Sequence, residues 1–378
     1  MPTDIPVELC TEATPDALRD CIDRVIASGA RGLLVLASDG DGWTREAVDP
    51  VLREVPVPLM GGVFPNIIHG GTWLYEGTLI VGLQAPFELA VVRDLSSGTD
   101  DLDERIRNAC ASDGPTNGLV IVVDGLTRNI ERYLESVYNL VGTAPSVIGG
   151  GAGSLDFVQK PCLFTNDGLI ADAALLARLP FTLHRGVNHG WEILKGPFLA
   201  TRSHTNVLET LNYTPAFDIY RELVESESAL RFAEHDFFSI AKTYPLGIEC
   251  LDSDILVRDP IRVENDALVC VGEVPENSMI YLLKGDGATL AESAGAAAAQ
   301  ARESYAGTGA GVPPSVVIFD CVSRVLFLDK EFDCEMRAIN DGLGEHANVF
   351  GALTLGEITN TRSGPISLLN KSTVIGTF

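Results

Sequence analysis

The run Asp320-Cys321-Val322-Ser323-Arg324 places a carboxylate, a thiol, a hydroxyl and a guanidinium side by side. Such a set suits a small ligand that bears a carboxylate, because arginine clamps that group with a planar fork of N–H donors. Downstream, Gly356-Glu357 together with Asn370 and Thr373 offers acceptors and donors for an ammonium or a hydroxyl. A few convergent polar groups of this kind are what small-molecule sites use. The same residues also have a structural reading, in which Cys321 packs in a core, Arg324 pairs with an acidic neighbour, and Glu357 and Asn370 fix loops through backbone amides. A third chemistry is nucleophilic: a Cys321 thiolate beside Arg324, with a distant histidine as base, would make a cysteine-dependent hydrolase. No Cys-His signature accompanies it, and Gly151-Ala152-Gly153-Ser154-Leu155 is not a Gly-x-Ser-x-Gly elbow, so the expectation is a binding protein without catalytic residues.

The pairs Gly61-Gly62 and Gly149-Gly150 let a backbone or a ligand approach closely and are taken as candidate binding positions. The run Gly149 to Gly153 lacks the Gly-Lys-Ser/Thr ending of a phosphate loop. Histidines His69, His184, His189, His204, His235 and His346 are candidate haem ligands, with His189 and His204 foremost. The cysteines are scattered without a C-x-x-C pair, so no metal site is expected.

These residues need a scaffold. Arg31 to Ser38 reads as a buried strand, Thr44 to Arg53 as a short helix capped by Thr44, and Pro56 to Phe64 as a strand with paired glycines. Gly77 to Leu83 and Glu88 to Arg93 read as consecutive strands of a hairpin or meander. The order then repeats: strand Asn117 to Asp124, amphipathic helix Ile130 to Val141, and Ala144 to Gly151 with proline, apolar residues and glycines. Gly61 and Gly149 are 88 residues apart and Leu33 and Leu119 are 86 apart, which argues for an internal duplication. Lys160 to Thr165 and Leu169 to Leu179 follow as strands around the turn Asn166-Asp167-Gly168. Beyond Phe181 come meander-like strands, a helix from Pro215 to Leu223, an alanine-rich helix Leu290 to Tyr305 suited to close packing, and a Gly/Pro-rich loop Ala306 to Pro314. Strand Ser315 to Cys321, helix Glu331 to Asn340, and strands Asn348 to Glu357 and Ile366 to Phe378 complete the chain. The reading is an α+β protein of two α/β sandwich-like modules with mixed or antiparallel sheets covered by helices, residues 1–180 and 181–378, with a pseudo-repeat in the first.

Composition narrows the partners. A formal charge of −25 repels phosphate backbones, so nucleic acid is not expected. Apolar runs such as Leu33 to Ala37 have strand length, short of the ~20 residues of a membrane helix. The start Met1-Pro2-Thr3-Asp4-Ile5-Pro6 lacks the basic and apolar regions of a secretory signal, so a cytoplasmic location is expected.

Several segments together resemble one family. His189-Gly190-Trp191, Pro215-Ala216-Phe217-Asp218-Ile219-Tyr220, Phe319 to Arg324, Phe350-Gly351 to Gly356-Glu357, and Asn370-Lys371-Ser372-Thr373 are similar, in this order, to motifs of bacterial FIST sensory domains. The resemblance runs from about Arg31 to Thr373, with an N-terminal and a C-terminal FIST module in tandem, and the glycine pairs also match. Leu369 stands where members often carry a histidine. The resemblance implies signal transduction: binding of a small ligand such as an amino acid, reported to a separate protein such as a histidine kinase. Some members are haem proteins that sense nitric oxide, which makes a haem-based sensor the alternative.

Overall fold

The structure, a computed structural model, describes residues 5–97, 99, 101–112, 116–250, 255–308, 315–344, 348–360 and 364–377. Its central element is a parallel pair of strands flanked by antiparallel ones, and this arrangement occurs three times. Gly32–Ser38 runs parallel to Leu59–Phe64, Gly118–Asp124 to Ser146–Ala152, and Ser315–Cys321 to Asn348–Thr354. In each unit a later strand pairs antiparallel with the first of the two: Thr78–Leu83, Ala173–Leu179 and Thr373–Thr377. The strands are near-continuous apolar runs because both faces are covered. On the outer faces Leu119, Ile121 and Val123 pack under helices Leu102–Cys110 and Ile130–Val141. Val316 and Ile318 likewise pack under helices Gly287–Ala306 and Phe332–Leu343. The alternate residues Val120, Val122, Val317 and Phe319 point inward and join one common core with the first sheet.

The three units are interlocked by exchanged hairpins. Asn66–His69 with Thr72–Leu74 leaves the first unit and extends the third sheet beside Asn348–Thr354. Leu163–Thr165 with Gly168–Ile170 leaves the second and extends the first. Glu357–Asn360 with Ile366–Leu369 leaves the third and extends the second. The cycle closes, so each of these three sheets has six strands drawn from two units. Residues in register confirm the repeat: Gly61 lies opposite Val35, Gly149 opposite Ile121, and Gly351 opposite Ile318. A Cβ on these glycines would stand 1.9, 1.8 and 2.1 Å from the neighbouring strand's carbonyl oxygen, so only glycine fits.

The pseudo-repeat expected in the first half is therefore present, and a third copy follows it. An insertion hides that copy from the sequence. Between edge strand His184–Asn188 and helix Gly287–Ala306 the chain builds a separate antiparallel ring. Glu192–His204 pairs along its first half with Met279–Lys284 and along its second with Val207–Leu211. Leu246–Glu249, Ile255–Glu264 and Ala267–Val271 close the circuit into a barrel. Leu208, Leu246, Leu268 and Leu282 fill it together with Tyr220, Val224 and Ile240 from helices Ala216–Glu227 and Phe237–Ala241.

Some local expectations change. Thr78–Leu83 and Glu88–Arg93 are not a hairpin but lie in different sheets. The stretch 169–179 breaks at Asp172, which has a φ of 49° and sends the chain from the hairpin into the second sheet. The same happens between Thr354 and Glu357 and between Leu369 and Thr373, where one expected strand is two in separate sheets. The alanine-rich helix packs as closely as its composition allows: a Cβ on Gly186 would meet the Ala297 carbonyl at 1.8 Å. Most of the expected loop Ala306 to Pro314 lies outside the described residues, as does His346. Among the described residues no helix is long and apolar enough to cross a membrane.

Candidate functional site

Strand Ser315–Cys321 passes directly into helix Val322–Leu328, and the junction carries Asp320, Cys321, Ser323 and Arg324 within one turn. The loops after Thr354 and Leu369 bring Glu357, Asn370, Lys371 and Thr373 to the same end of the third sheet. All of these side chains are buried. The sequence-level grouping of Cys321, Arg324, Glu357, Asn370 and Thr373 is thus a spatial one.

Their roles differ from expectation, most of all for Arg324. Its Nε donates to Glu335 Oε1 at 2.8 Å and its Nη2 to Glu335 Oε2 at 2.7 Å. Nη1 donates to the carbonyls of His189 at 2.7 Å and Lys371 at 3.0 Å, and Nη2 also to that of Leu290 at 2.9 Å. A guanidinium has five N–H groups and all five are spent. Burial opposes its charge, but Glu335 and then Asp320 outweigh that and hold the guanidinium more firmly charged than usual. Arg324 therefore ties two helices, the His189 turn and the Lys371 loop together, and has no donor left for a ligand carboxylate.

The carboxylates are less well provided. Glu357 accepts from Thr354 Oγ1 at 2.7 Å and from the Ser372 amide at 3.1 Å, and burial raises its pKa to about 8. Asp320 accepts at Oδ1 from Thr373 Oγ1 at 2.9 Å and stands 3.5 Å from Arg324 Nε, whose single N–H goes to Glu335. Asp320 Oδ2 meets no donor among the described residues. Burial, then Glu335, push this carboxyl well above its ordinary range. Asn370 Oδ1 is also buried without a donor, while its Nδ2 reaches only the Leu369 carbonyl at 3.0 Å. Burial and then Glu357 push the Cys321 thiol up, and its Sγ lies 3.0 Å from Ser323 Oγ. That setting disfavours a thiolate.

Lys371, inside the closing motif, joins the cluster although its place in the sequence does not announce it. With a φ of 54°, it turns a fully buried side chain toward the barrel. Its Nζ lies 3.2 Å from Asp259 Oδ2, donates to the Lys242 carbonyl at 3.0 Å, and sits 5.1 Å from the Trp191 ring centre. Asp259 Oδ1 again meets no donor. Beside it, buried Arg258 donates to the Val257 and Leu368 carbonyls, both at 3.1 Å. The polar cluster therefore lies on the seam between barrel and third sheet. The sequence offered one signal for the barrel side: Arg258-Asp259-Pro260 sets charges and a proline in the middle of a strand.

The other candidates are not here. Gly62 is packed so that a Cβ would meet Ala152 Cβ at 2.8 Å, and one on Gly150 would meet Thr354 Cγ2 at 2.6 Å. Gly61 and Gly149 abut the neighbouring carbonyls described above. All four serve close packing of protein on protein rather than a ligand. His204 is exposed at the end of its barrel strand, which is not the apolar enclosure that haem requires. His189 is half-buried and its Nδ1 accepts from the Trp191 amide at 3.0 Å. An open groove of about 420 Å³ lies on the barrel, lined by Glu209, Thr210, Pro215, Glu264 and Asp266, and shares no residue with the cluster.

Comparison with family models matches residues 33–214 to the FIST N domain and residues 216–360 to the FIST C domain. No curated protein matches the chain. The second match includes Cys321, Arg324 and Glu357, and Asn370 and Thr373 follow it.

Proposed function

The chain belongs to the FIST family, whose domains are associated with signal transduction and small-ligand sensing, and from that premise we propose that its ligand site is the buried polar cluster at the seam. One observation carries this reading: among the described residues Asp320 Oδ2, Asn370 Oδ1 and Asp259 Oδ1 are buried without a donor, all at the boundary between barrel and sheets. Orphaned buried acceptors cost roughly 1–3 kcal/mol each, so a ligand that supplies donors gains affinity from groups the protein already holds in place.

The seam also supplies a way to report occupancy. Lys371 to Asp259 and Arg258 to Leu368 are among the ties between the barrel and the sheets, and a ligand that binds one barrel setting better than another shifts the population by that difference. A signalling protein such as a histidine kinase reads the setting. A thermal-shift screen of the full chain against amino acids, amines, small carboxylates, nucleotides and haemin tests the proposal, because a ligand of the native state alone must stabilise it. A rise with one polar class that is lost in Asp320→Asn supports it. No rise with any class overturns it, and a rise with haemin together with a Soret band replaces it with the haem-sensor reading.

A further inference from the structure

Two of the cations at the seam are already engaged. Glu335 is neutralised by the two-pronged bond from Arg324, and Asp259 by Lys371. Asp320 and Glu357 have no cation of their own. Every N–H of Arg324 is committed, so this guanidinium has no donor left for an anion. A ligand carboxylate would arrive beside the charged carboxylates of Asp259 and Glu335, and each like charge at close range in a buried site opposes it. What Asp320 Oδ2 and Asn370 Oδ1 lack is a donor.

Two further facts narrow the cation. Among the described residues no group of His, Cys, Asp and Glu converges tightly enough to hold a metal ion. The protein also shows how it seats an ammonium: Lys371 Nζ rests between a carboxylate, a backbone carbonyl and the face of Trp191. The free acceptors of Asp320 and Asn370 are of the same kind.

We infer that the ligand is a primary amine, carried as its ammonium and without a carboxylate, whose donors reach Asp320 Oδ2 and Asn370 Oδ1. The inference rests on the sensor reading above and departs from the expectation of an amino acid held by Arg324, whose donors are all engaged. The exposed bond from Lys242 Nζ to the Leu326 carbonyl, 2.9 Å long, ties the barrel to helix Val322–Leu328. Since the raised carboxyls of Asp320 and Glu357 hold protons in the empty site, an arriving ammonium displaces one, and binding releases protons to solvent.

Titration calorimetry of the full chain with butylamine, putrescine, glycine, lysine and acetate, each in two buffers of different ionisation enthalpy, reads both specificity and proton release. The expected result is saturable binding of butylamine or putrescine at least tenfold tighter than glycine, none of acetate, and proton release on binding. Asn370→Asp should tighten amine binding, and Asp320→Asn should weaken it at least tenfold with the fold retained by circular dichroism. Glycine or lysine binding as tightly as the amines, at a site lost in Asp320→Asn, overturns the amine assignment and leaves the sensor reading standing. Binding by none of the five, in wild type and in Asn370→Asp alike, overturns the amine assignment; the sensor reading falls with it only if the broader thermal-shift panel is also silent.

Discussion

The ends of the second and third parallel strand pairs occupy equivalent places in the threefold repeat yet use their polar residues in opposite ways. Asp124 and Cys321 are in matching register, opposite Ala152 and Thr354. In the second unit the buried carboxylate is fully supplied: Asp124 Oδ1 accepts from the Leu126 amide at 3.1 Å, and Oδ2 from Gln159 Nε2 at 2.9 Å and the Asp172 amide at 2.7 Å. In the third unit Asp320, one residue before the matching position, is left with an unmet oxygen. The scaffold itself therefore does not demand an orphaned acceptor at this end. A satisfied carboxylate at this end pins loops; the unsatisfied one is where the proposed ligand would bind.

The largest expected effect separates the two units by what their arginines hold. Arg324→Met takes the two-pronged donor from buried Glu335 and one donor from each of three carbonyls, and removing one partner of a buried pair costs about 3–5 kcal/mol. Arg132→Ala in the second unit, whose pair with Asp103 is 41% and 48% exposed on its two sides, should cost under about 1 kcal/mol. Urea denaturation of both variants checks the contrast, and a cost for Arg324→Met as small as for Arg132→Ala would remove the structural role assigned here.

Next in size are the repeat glycines. Alanine at Gly61, Gly149 or Gly351 places a Cβ within 2.1 Å of a carbonyl oxygen in each unit. Each should cost at the top of the ~1–3 kcal/mol range of overpacking or beyond, and the three costs should be alike. A benign substitution at one of them would break the equivalence of the units.

Much of this repeat was legible because its physics is local. Apolar runs, glycine spacing and amphipathic helices identify Gly32–Ser38, Gly118–Asp124, Ile130–Val141 and Ser315–Cys321 with boundaries within a residue. The hairpin exchange was not legible, since a strand's residues do not say which of two apolar sheets it joins. The third copy was hidden because the barrel separates its edge strand from its helix. For the site, the motif placed the right residues together but assigned Arg324 by its chemistry alone. Whether a guanidinium is free depends on Glu335 and on the carbonyls of His189, Leu290 and Lys371, and residues that distant in sequence announce nothing.

A smaller effect comes from proton balance in the third unit. Glu357 has its folded pKa raised from 4.5 to about 8 by burial, against the lowering pull of Thr354, Ser372, Cys321 and Arg324. The folded state thus keeps a proton that the unfolded chain releases above about 4.5. This contribution to stability is complete below that pH and is lost as pH rises through about 8. Glu357→Gln should therefore flatten the decline of the melting temperature between those limits, relative to wild type. Asp320, also raised, keeps part of the slope in the variant. A variant whose decline matches wild type would mean that Glu357 is ionised in the fold.

The smallest effect returns to the second unit and to the loop that its satisfied carboxylate holds. The first unit passes from its second parallel strand to its hairpin through Pro65 alone and the third through Leu355 and Gly356, whereas the second takes the path Gly153 to Cys162. Gln159 on this path is one of the donors to Asp124, and Asp156 fixes the turn by accepting from Ser154, the Val158 amide at 2.9 Å and Lys160 at 3.4 Å. The turn leaves Phe157 at a φ of 53° with 59% of its surface exposed, so the residue bears backbone strain and gains little from burial. Phe157→Gly removes that strain and should leave stability unchanged or raise it by up to about 1 kcal/mol. A loss of more than that would show that the ring contributes to the fold, and that the second unit spends its loop on packing as well as on Asp124.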